Sequence, residues 1–468
     1  MAKETENKTN EALREKLLSS PKHAARILKQ EEIDTADRFC EDYKAFLNAS
    51  KTEREAVIEI ERRAVEHGYT KFVPGKKYEA GSRVYLNNRG KAVILAVIGK
   101  TCISEGMRII AAHIDSPRID LKPNPLYEDS ELALFKTHYY GGIKKYQWTA
   151  IPLSLHGVVV KKDGASISVT IGEAEDEPGF VITDLLPHLG RAQSERKLGE
   201  GIKGEELNIL IGSRPLAGDE GADSVKLNIM NILHEKYGII ESDFLSAELE
   251  LVPAFLAKDI GFDRSMVASY GQDDRVCAYT SLIAALEVEN PEKTCLTVLA
   301  DKEEVGSNGN TGLDSSFMKY FIYDLAEASG IAGHTVLSRS ECLSADVNAG
   351  FDPTFPEVME RRNAAFFNRG VVVTKYTGAR GKSGTSDASA EFMGKVRRML
   401  DGAGVVWQTG ELGKVDEGGG GTVAMFVANL DVDVVDVGVP VLSMHSPYEV
   451  TAKLDVYMAY KAFQAFFV

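Results

Sequence analysis

The spacing of hydrophobic positions changes along the chain, and each spacing predicts a different element. Two segments near the start carry apolar residues three and four positions apart, which is typical of amphipathic helices. The apolar positions are Ile33, Ala36, Phe39, Tyr43, Phe46 and Leu47 in the first, and Val57, Ile58, Ile60, Ala64 and Val65 in the second. Gly68 stands where a glycine commonly ends a helix. The preceding residues 1–30 are highly charged and predict a mobile arm or a solvated helix.

Continuous apolar runs follow these helices and predict strands that are buried on both faces. The runs cover residues 92–98, 108–112, 295–300 and 439–444. Helical spacing returns after Asp274, and the apolar positions there are Val276, Tyr279, Leu282, Ile283 and Leu286. Strands buried on both faces, together with helices, predict an α/β fold.

The segment 120–258 has a different character. Residues 158–160, a turn at Asp163-Gly164, and alternation through residues 167–171 predict a β-hairpin. This segment contains none of the five candidate metal ligands of the chain, which lie on either side of it: His113, Asp273, Glu304, Asp346 and His445. We therefore expect an α/β domain made of residues 1–119 and 259–468, which carries these candidates and is the catalytic domain if they bind metal, interrupted by an inserted β-rich domain at 120–258.

Composition narrows the class of partner. The 468 residues are 44% hydrophobic and carry a net charge of −15, which argues against nucleic acid or an anionic membrane as the main partner. The five cysteines are widely spaced and read as reduced thiols. We find no secretory signal and no apolar run near the ~20 residues of a membrane-spanning helix, so the sequence predicts a cytoplasmic protein.

Histidines and carboxylates tend to follow the apolar runs, where ligands bind in open α/β sheets. The candidates are His113, Asp115, Asp273, Glu303, Glu304, Asp346 and His445. Two neighbouring divalent ions need a bridging carboxylate, and each needs one further histidine and carboxylate. One Asp273-bridged pair of sites accounts for the set, with His113 and Asp346 on one ion and Glu304 and His445 on the other.

Two residues remain beside this predicted pair of ions. Glu303 is free to act as a general base. Asp115 lies two residues from His113 and is placed to accept the second ring N–H of that ligand, the contact that fixes its tautomer. Each motif alone also has an ordinary interpretation, as a chance His-x-Asp, a helix cap at Asp273-Asp274, or a solvated pair of glutamates.

Two other motifs were considered. Gly381-Lys382-Ser383 resembles the end of a phosphate-binding loop, but Tyr376 stands where the first glycine of that motif is required. Serines 383, 386 and 389 near Asp387 suggest a nucleophile, yet this part of the chain has no histidine. The paired ions explain more of the sequence than either alternative.

The chain resembles the aspartyl aminopeptidase and vacuolar aminopeptidase I family of dinuclear zinc metallo-aminopeptidases, as a bacterial-type member. The matching segments are 112–117, 140–142, 187–189, 271–275, 301–307, 344–347, 420–422 and 444–446. The resemblance implies a mixed central sheet flanked by helices, the metal ligands given above, Glu303 as base, and a cis bond between Asp273 and Asp274. It also implies an inserted dimerisation domain and dimers assembled into a tetrahedral homo-dodecamer.

Further roles follow only from this resemblance. His188 reaches a neighbouring subunit's active site and donates a hydrogen bond to the developing oxyanion. Lys375 contacts the acidic side chain of a substrate's N-terminal residue. The segment around Lys375 also resembles the vacuolar branch of the family, whose members favour neutral N-terminal residues. Gly420, Gly421 and Thr422 contact the substrate.

The expected function is metal-dependent removal of N-terminal amino acids from peptides, with two ions that are zinc, cobalt or manganese. One alternative is a related di-metal carboxypeptidase or N-acyl amino acid deacylase. Another is a non-catalytic assembly or cargo protein that kept the fold, against which the retained Glu303 speaks.

Overall fold

Three β-sheets of nine, seven and five strands organise the part of the chain that the structure describes. The computed structural model describes residues 10, 13–14, 16–19, 21–378 and 380–468. The α/β class with a mixed central sheet flanked by helices is confirmed. In the described part of the chain, no helix combines the length and the hydrophobicity needed to span a membrane.

The α-helices and strands are numbered here in chain order. The helices are α1 Gln30–Ala49, α2 Glu53–Glu66, α3 Arg191–Ser194, α4 Ser224–Tyr237, α5 Gln272–Glu287, α6 Phe317–Glu327, α7 Gly333–Leu337, α8 Ala390–Gly402, α9 Ala424–Ala428 and α10 Lys453–Phe467. The first eleven strands are β1 Thr70–Lys71, β2 Arg83–Asn88, β3 Ala92–Val97, β4 Arg108–His113, β5 Arg118–Asp129, β6 Leu132–Tyr140, β7 Leu153–Val160, β8 Ser166–Ile171, β9 Val181–Ile182, β10 Ile209–Gly212 and β11 Ala247–Pro253. The others are β12 Lys258–Ile260, β13 Met266–Ser269, β14 Cys295–Ala300, β15 Glu341–Ser344, β16 Asn348–Ala349, β17 Val371–Thr374, β18 Trp407–Thr409, β19 Asp433–Gly438, β20 Pro440–Leu442 and β21 Glu449–Ala452.

The central sheet has nine strands in the order β1-β2-β3-β14-β4-β15-β19-β17-β18. Strands β14, β4, β15 and β19 run parallel at its middle, and antiparallel partners flank them. Alternate residues of β3 enter two different cores, with Val93 and Leu95 on one face and Ile94 on the other. Helices α1, α2, α5 and α10 cover the first face, and α6, α7 and α9 cover the second. The prediction that β3 is buried on both faces is therefore confirmed.

The seven-stranded sheet has the order β8-β7-β11-β5-β6-β10-β9, so all of its strands lie between Arg118 and Pro253. The predicted hairpin is β7 paired antiparallel with β8, and Val160 lies opposite Ser166 beside the turn. A separate hydrophobic core lies under this sheet, and Trp148, Leu251 and Ile209 are buried in it. The middle of the chain is thus β-rich, as its alternating pattern predicts.

Two expectations about the first part of the chain need correction. Ile58 and Val65 do not belong to the buried face of α2, since they are 65% and 53% exposed, whereas Val57 and Ile60 are buried. Each lies one position beyond a buried residue, and a step of one position turns the side chain by about 100° around a helix.

The charged arm is not solvated throughout, because Ala24 is buried and its N–H donates to the Asn368 carbonyl. Residues 1–9, 11–12, 15 and 20 of that arm lie outside the described residues.

Candidate metal centre

Three neighbouring parallel strands bring the first candidate ligands to one edge of the central sheet. His113 is the last residue of β4, which lies between β14 and β15. A short 3-10 turn that begins at Glu303 follows β14, and Asp346 stands two residues beyond β15. The carboxyl ends of parallel strands meet at the same edge, so the order of the strands, rather than closeness in sequence, brings these side chains together.

The remaining two ligands come from other elements. Asp273 is the second residue of α5, but its ψ of 106° is not helical, and its peptide bond to Asp274 is cis, as predicted. His445 follows β20 with a φ of 65°, in the left-handed region. The structure therefore places Asp273 and His445 in irregular backbone next to the sheet edge.

The five side chains form two groups that share Asp273. In one group, Asp273 lies with His113 and Asp346, and in the other with Glu304 and His445; within each group the ligand atoms are all within 4.8 Å of one another. Asp273 Oδ1 is 3.2 Å from His113 Nε2, and its Oδ2 is 3.1 Å from His445 Nε2. One carboxylate thus faces one histidine with each of its oxygens.

The donor set fits a divalent zinc-like ion. Histidine nitrogen and carboxylate oxygen are its common ligands, and the two groups supply both. Among the described residues, two buried atoms of the groups, His113 Nε2 and Glu304 Oε1, have no hydrogen-bond partner. Buried polar atoms are rarely left unpaired, and a bound cation would satisfy both.

Asp115 connects the first histidine with the Glu303-Glu304 turn. Its carbonyl accepts from His113 Nδ1 at 3.1 Å, and its carboxylate Oδ1 lies 3.3 Å from the same nitrogen. The two carboxylate oxygens also accept the backbone N–H groups of Glu303 and Glu304, both at 3.2 Å. The Tyr140 hydroxyl donates to Oδ2 at 2.9 Å. This buried carboxylate therefore directs Nε2 of His113 toward Asp273.

His445 is oriented in the same manner by a backbone group. Its Nδ1 donates to the Gly142 carbonyl at 3.0 Å, which leaves Nε2 for the centre. A Cβ on Gly142 would lie 3.3 Å from this ring nitrogen, so a side chain at that position would crowd the histidine. Hydrogen bonds to the far ring nitrogen of a ligand fix its tautomer and direction.

Sequence reasoning missed Glu449. Its buried carboxylate accepts the backbone N–H groups of Gln272 at 2.6 Å, Asp273 at 3.1 Å and His445 at 2.8 Å. It thereby ties the bridging aspartate to the last histidine. The only sequence signal is a carboxylate four residues after His445 at the start of a strand, which is indistinguishable from a surface glutamate.

The crowded charges explain the pKa values of the site. Burial raises the pKa of Glu303 to about 7, and the nearby Asp273 carboxylate acts in the same direction. Burial also raises the pKa values of Glu304 and Asp346 well above their usual range. Burial by itself lowers the pKa of His445, but the Asp273 and Glu304 carboxylates raise it to about 10. Every one of these directions indicates a site that favours bound positive charge.

A cavity of about 340 Å³ opens onto the two groups. Glu303 lines it beside Asp273, and its Oε2 is 3.9 Å from His113 Nε2. The segment from Gly420 to Thr422 also lines the cavity. Water or a small substrate at the metal groups would therefore contact Glu303, as a general base requires.

Two residues with expected roles lie elsewhere. Lys375 directly follows β17, but it forms an ion pair with Asp387 and is not among the described residues that line the cavity. His188 is exposed in the middle segment, and none of the hydrogen bonds and ion pairs found among the described residues involves its side chain. Their substrate and oxyanion roles remain predictions.

Comparison with known proteins decides the family. Residues 46–467 match the family model of the aminopeptidase I zinc metalloproteases, M18. The chain belongs to the M18 aminopeptidase family. It is 50% identical over 465 residues to a probable M18 family aminopeptidase 1 of Clostridium acetobutylicum, and the match covers 98% of this chain and 99% of the relative.

Solved structures agree with this assignment. The crystal structure of an M18 family aminopeptidase from Thermotoga maritima superposes with a TM-score of 0.92 and 44% identity, over 96% of this chain and 99% of that one. A dodecamer of mApe1 from S. cerevisiae shares the fold, with a TM-score of 0.75, 21% identity, and coverage of 94% and 97% of the two chains. This M18 protein is therefore a metal-dependent aminopeptidase, a hydrolase of peptide bonds.

Proposed function

We propose that this M18 aminopeptidase removes N-terminal residues from peptides with a dinuclear centre and Glu303 as its base. The observation that carries the proposal is the position of Asp273, whose two oxygens face His113 and His445 at 3.2 and 3.1 Å. A bridging carboxylate between two histidines is what a pair of ions about 3.5–4 Å apart requires. The proposed ligands are His113, Asp273 and Asp346 for one ion, and Asp273, Glu304 and His445 for the other.

Zinc is the proposed metal, with cobalt and manganese as alternatives, because nitrogen and carboxylate ligands suit all three. Two bound ions would supply Lewis-acid activation of water and of the scissile carbonyl. The chain itself supplies the proton transfers. Glu303 accepts a proton from the attacking water and passes it to the departing amine. The Asp115 carboxylate accepts the backbone N–H of Glu303 and so holds that backbone in place.

The protein's carboxylates also explain why a free N-terminus is preferred. Asp273, Glu303, Glu304 and Asp346 line the cavity, so the free α-amino group of a peptide meets carboxylate oxygens that can accept its hydrogen bonds. A peptide blocked at this end loses most of these donors. Gly420, Gly421 and Thr422 line the same cavity and contact the bound residue in this proposal.

The proposed assembly is a homo-oligomer of dimers arranged as a tetrahedral dodecamer. The dodecamer of mApe1 supports it through the shared fold. Residues 120–258 are then an inserted dimerisation domain, and residues 1–119 and 259–468 form the catalytic domain. Exposed leucines at positions 185, 186 and 189 surround His188, as expected of a segment that a neighbouring subunit covers. The cytoplasmic location stays a prediction from the sequence.

The test of this function is the Glu303→Gln variant with a matched Glu357→Gln control on an exposed 3-10 turn. The active-site variant should retain two metal ions per chain, by elemental analysis, and lose about 10²–10⁴-fold in turnover of an aminoacyl anilide. The control should keep both. Full activity in the metal-loaded Glu303→Gln variant would show that another group is the base.

A second arm separates the aminopeptidase from its carboxypeptidase and deacylase alternatives. Acetylation of a peptide's N-terminus should abolish cleavage, and amidation of its C-terminus should not. The reverse pattern would favour a carboxypeptidase, and cleavage of the acetyl group itself would favour a deacylase.

A further inference from the structure

A carboxylate that belongs to neither metal group lies at the far end of the cavity. Asp436 is in β19, the strand next to β15 on the side away from β4. Its register partners are Ser344 on β15 and Thr374 on β17. Moving along the sheet edge from Asp346, a substrate side chain would therefore meet Asp436 and then Thr374. Both residues line the cavity, together with Thr422 and Asn348.

Two buried oxygen atoms at this end make no hydrogen bond within the described part of the chain. Among the described residues, Asp436 Oδ1 and Asn348 Oδ1 are buried and have no hydrogen-bond partner. Their residues are only 4% and 3% exposed. Asn348 donates through Nδ2 to the Thr374 hydroxyl at 2.9 Å, which occupies its amide and leaves its carbonyl oxygen free. Buried unpaired acceptors indicate that a partner arrives from outside the chain.

The charge at this end is also uncompensated. No lysine or arginine is found among the described residues that line the cavity. Lys375 follows Thr374 directly, but Asp387 holds it in an ion pair. Two bound ions would offset the ligand carboxylates, whereas Asp436 is in neither ligand group. An acidic substrate side chain would therefore meet repulsion here, and a donor would be attracted.

We propose that this end of the cavity is the side-chain pocket for the substrate's N-terminal residue, and that Asp436 and Asn348 make it select basic or neutral side chains that carry hydrogen-bond donors. The inference rests on the proposed function, since it concerns the residue whose peptide bond is cleaved. Burial raises the pKa of Asp436 to about 6, while the neighbouring Ser344 and Thr422 hydroxyls lower it.

The direct test compares aminoacyl anilides in pairs of similar size. In the wild-type enzyme, kcat/KM should be at least about tenfold higher for the glutamine than for the glutamate anilide, as expected for one hydrogen bond to a charged group. The lysine anilide should exceed the methionine anilide by a similar factor. These measurements need no variant, so they decide the proposal even if substitutions at Asp436 impair folding.

The variant Asp436→Asn then assigns the preference to this carboxylate. It should lower the ratio of kcat/KM for the lysine anilide to that for the methionine anilide about tenfold. It should also bring kcat/KM for the glutamate anilide closer to that for the glutamine anilide. Asp433→Asn is the matched control, because Asp433 lies on the same strand and is exposed. It should leave both ratios unchanged. Metal content and thermal melting verify that each variant folds.

Two results would overturn the proposal: equal or faster hydrolysis of the glutamate anilide by the wild type, or unchanged ratios in a folded, metal-loaded Asp436→Asn enzyme. Failure of the proposed function looks different, because then the wild type hydrolyses none of the anilides.

Discussion

Replacing Tyr140 by Phe removes one hydroxyl next to the metal centre and little else. The hydroxyl donates to Asp115 Oδ2 at 2.9 Å. The Arg118 guanidinium lies 3.9 Å from the centroid of the same ring, a contact that phenylalanine preserves. The substitution therefore isolates one hydrogen bond to the carboxylate that orients His113.

The expected loss of zinc affinity depends on which hydrogen bonds Asp115 retains in the variant. A hydrogen bond to a charged group contributes about 1.5–3 kcal/mol. Asp115 retains the Glu303 and Glu304 N–H groups and its contact with His113, so the loss should lie near the lower end of that range. About 1.4 kcal/mol corresponds to a tenfold change in a dissociation constant. This agrees with the 10–100-fold loss of metal affinity that is usual when a group that orients a metal ligand is removed. We expect about tenfold weaker zinc binding.

The assay is competition for zinc between the metal-free protein and a chromophoric chelator. Tyr139→Phe is the control, because Tyr139 is adjacent and 38% exposed. The Tyr140→Phe enzyme at saturating zinc should regain most of its kcat, with an unchanged KM. Equal zinc affinities for the two variants would refute the positioning role of the hydroxyl, and so would a loss of kcat that excess zinc does not repair.

Three further predictions concern charge and assembly. Burial raises the pKa of Glu303 to about 7 and raises those of Glu304 and Asp346, so the folded metal-free protein binds more protons than the unfolded chain. Its melting temperature should therefore fall as pH rises from about 5 to about 7, and zinc should weaken this dependence. If His188 completes a neighbouring site, mixed oligomers of His188→Ala and Glu303→Gln chains should regain activity that neither has alone; confirmed mixing without recovery would exclude a shared site. Lys375→Leu should change kcat/KM equally for glutamate and glutamine anilides, and a selective loss for glutamate would instead support charge reading by this lysine.

The sequence predicted which side chains meet where polar residues follow a hydrophobic run. His113 ends one apolar run and Glu303 closely follows another, and the structure places both at the edge that those strands share. Asp436 gave a comparable signal, as a lone carboxylate among buried valines of β19. It was overlooked because the expected ligand set was already complete without it.

Other features depend on contacts that one sequence does not display. Glu449 acts through three backbone N–H groups from two distant segments, and backbone donors leave no trace in residue types. The order of strands in the central sheet also depends on long crossovers between segments. Ile58 fits an apolar pattern by composition, but its angular position on α2 turns it to solvent.

The candidate metal centre draws its last components from the segment just before α10. His445 and Glu449 stand only a few residues before the final helix α10, whereas His113 belongs to β4 far upstream. During synthesis, His113 precedes His445 by more than three hundred residues, and the first group is already complete at Asp346 while the second still lacks its histidine. In the proposed function, a chain that stops before His445 therefore lacks the second of the two metal groups. The order of the proposed ligands along the chain makes peptidase activity depend on elongation through His445.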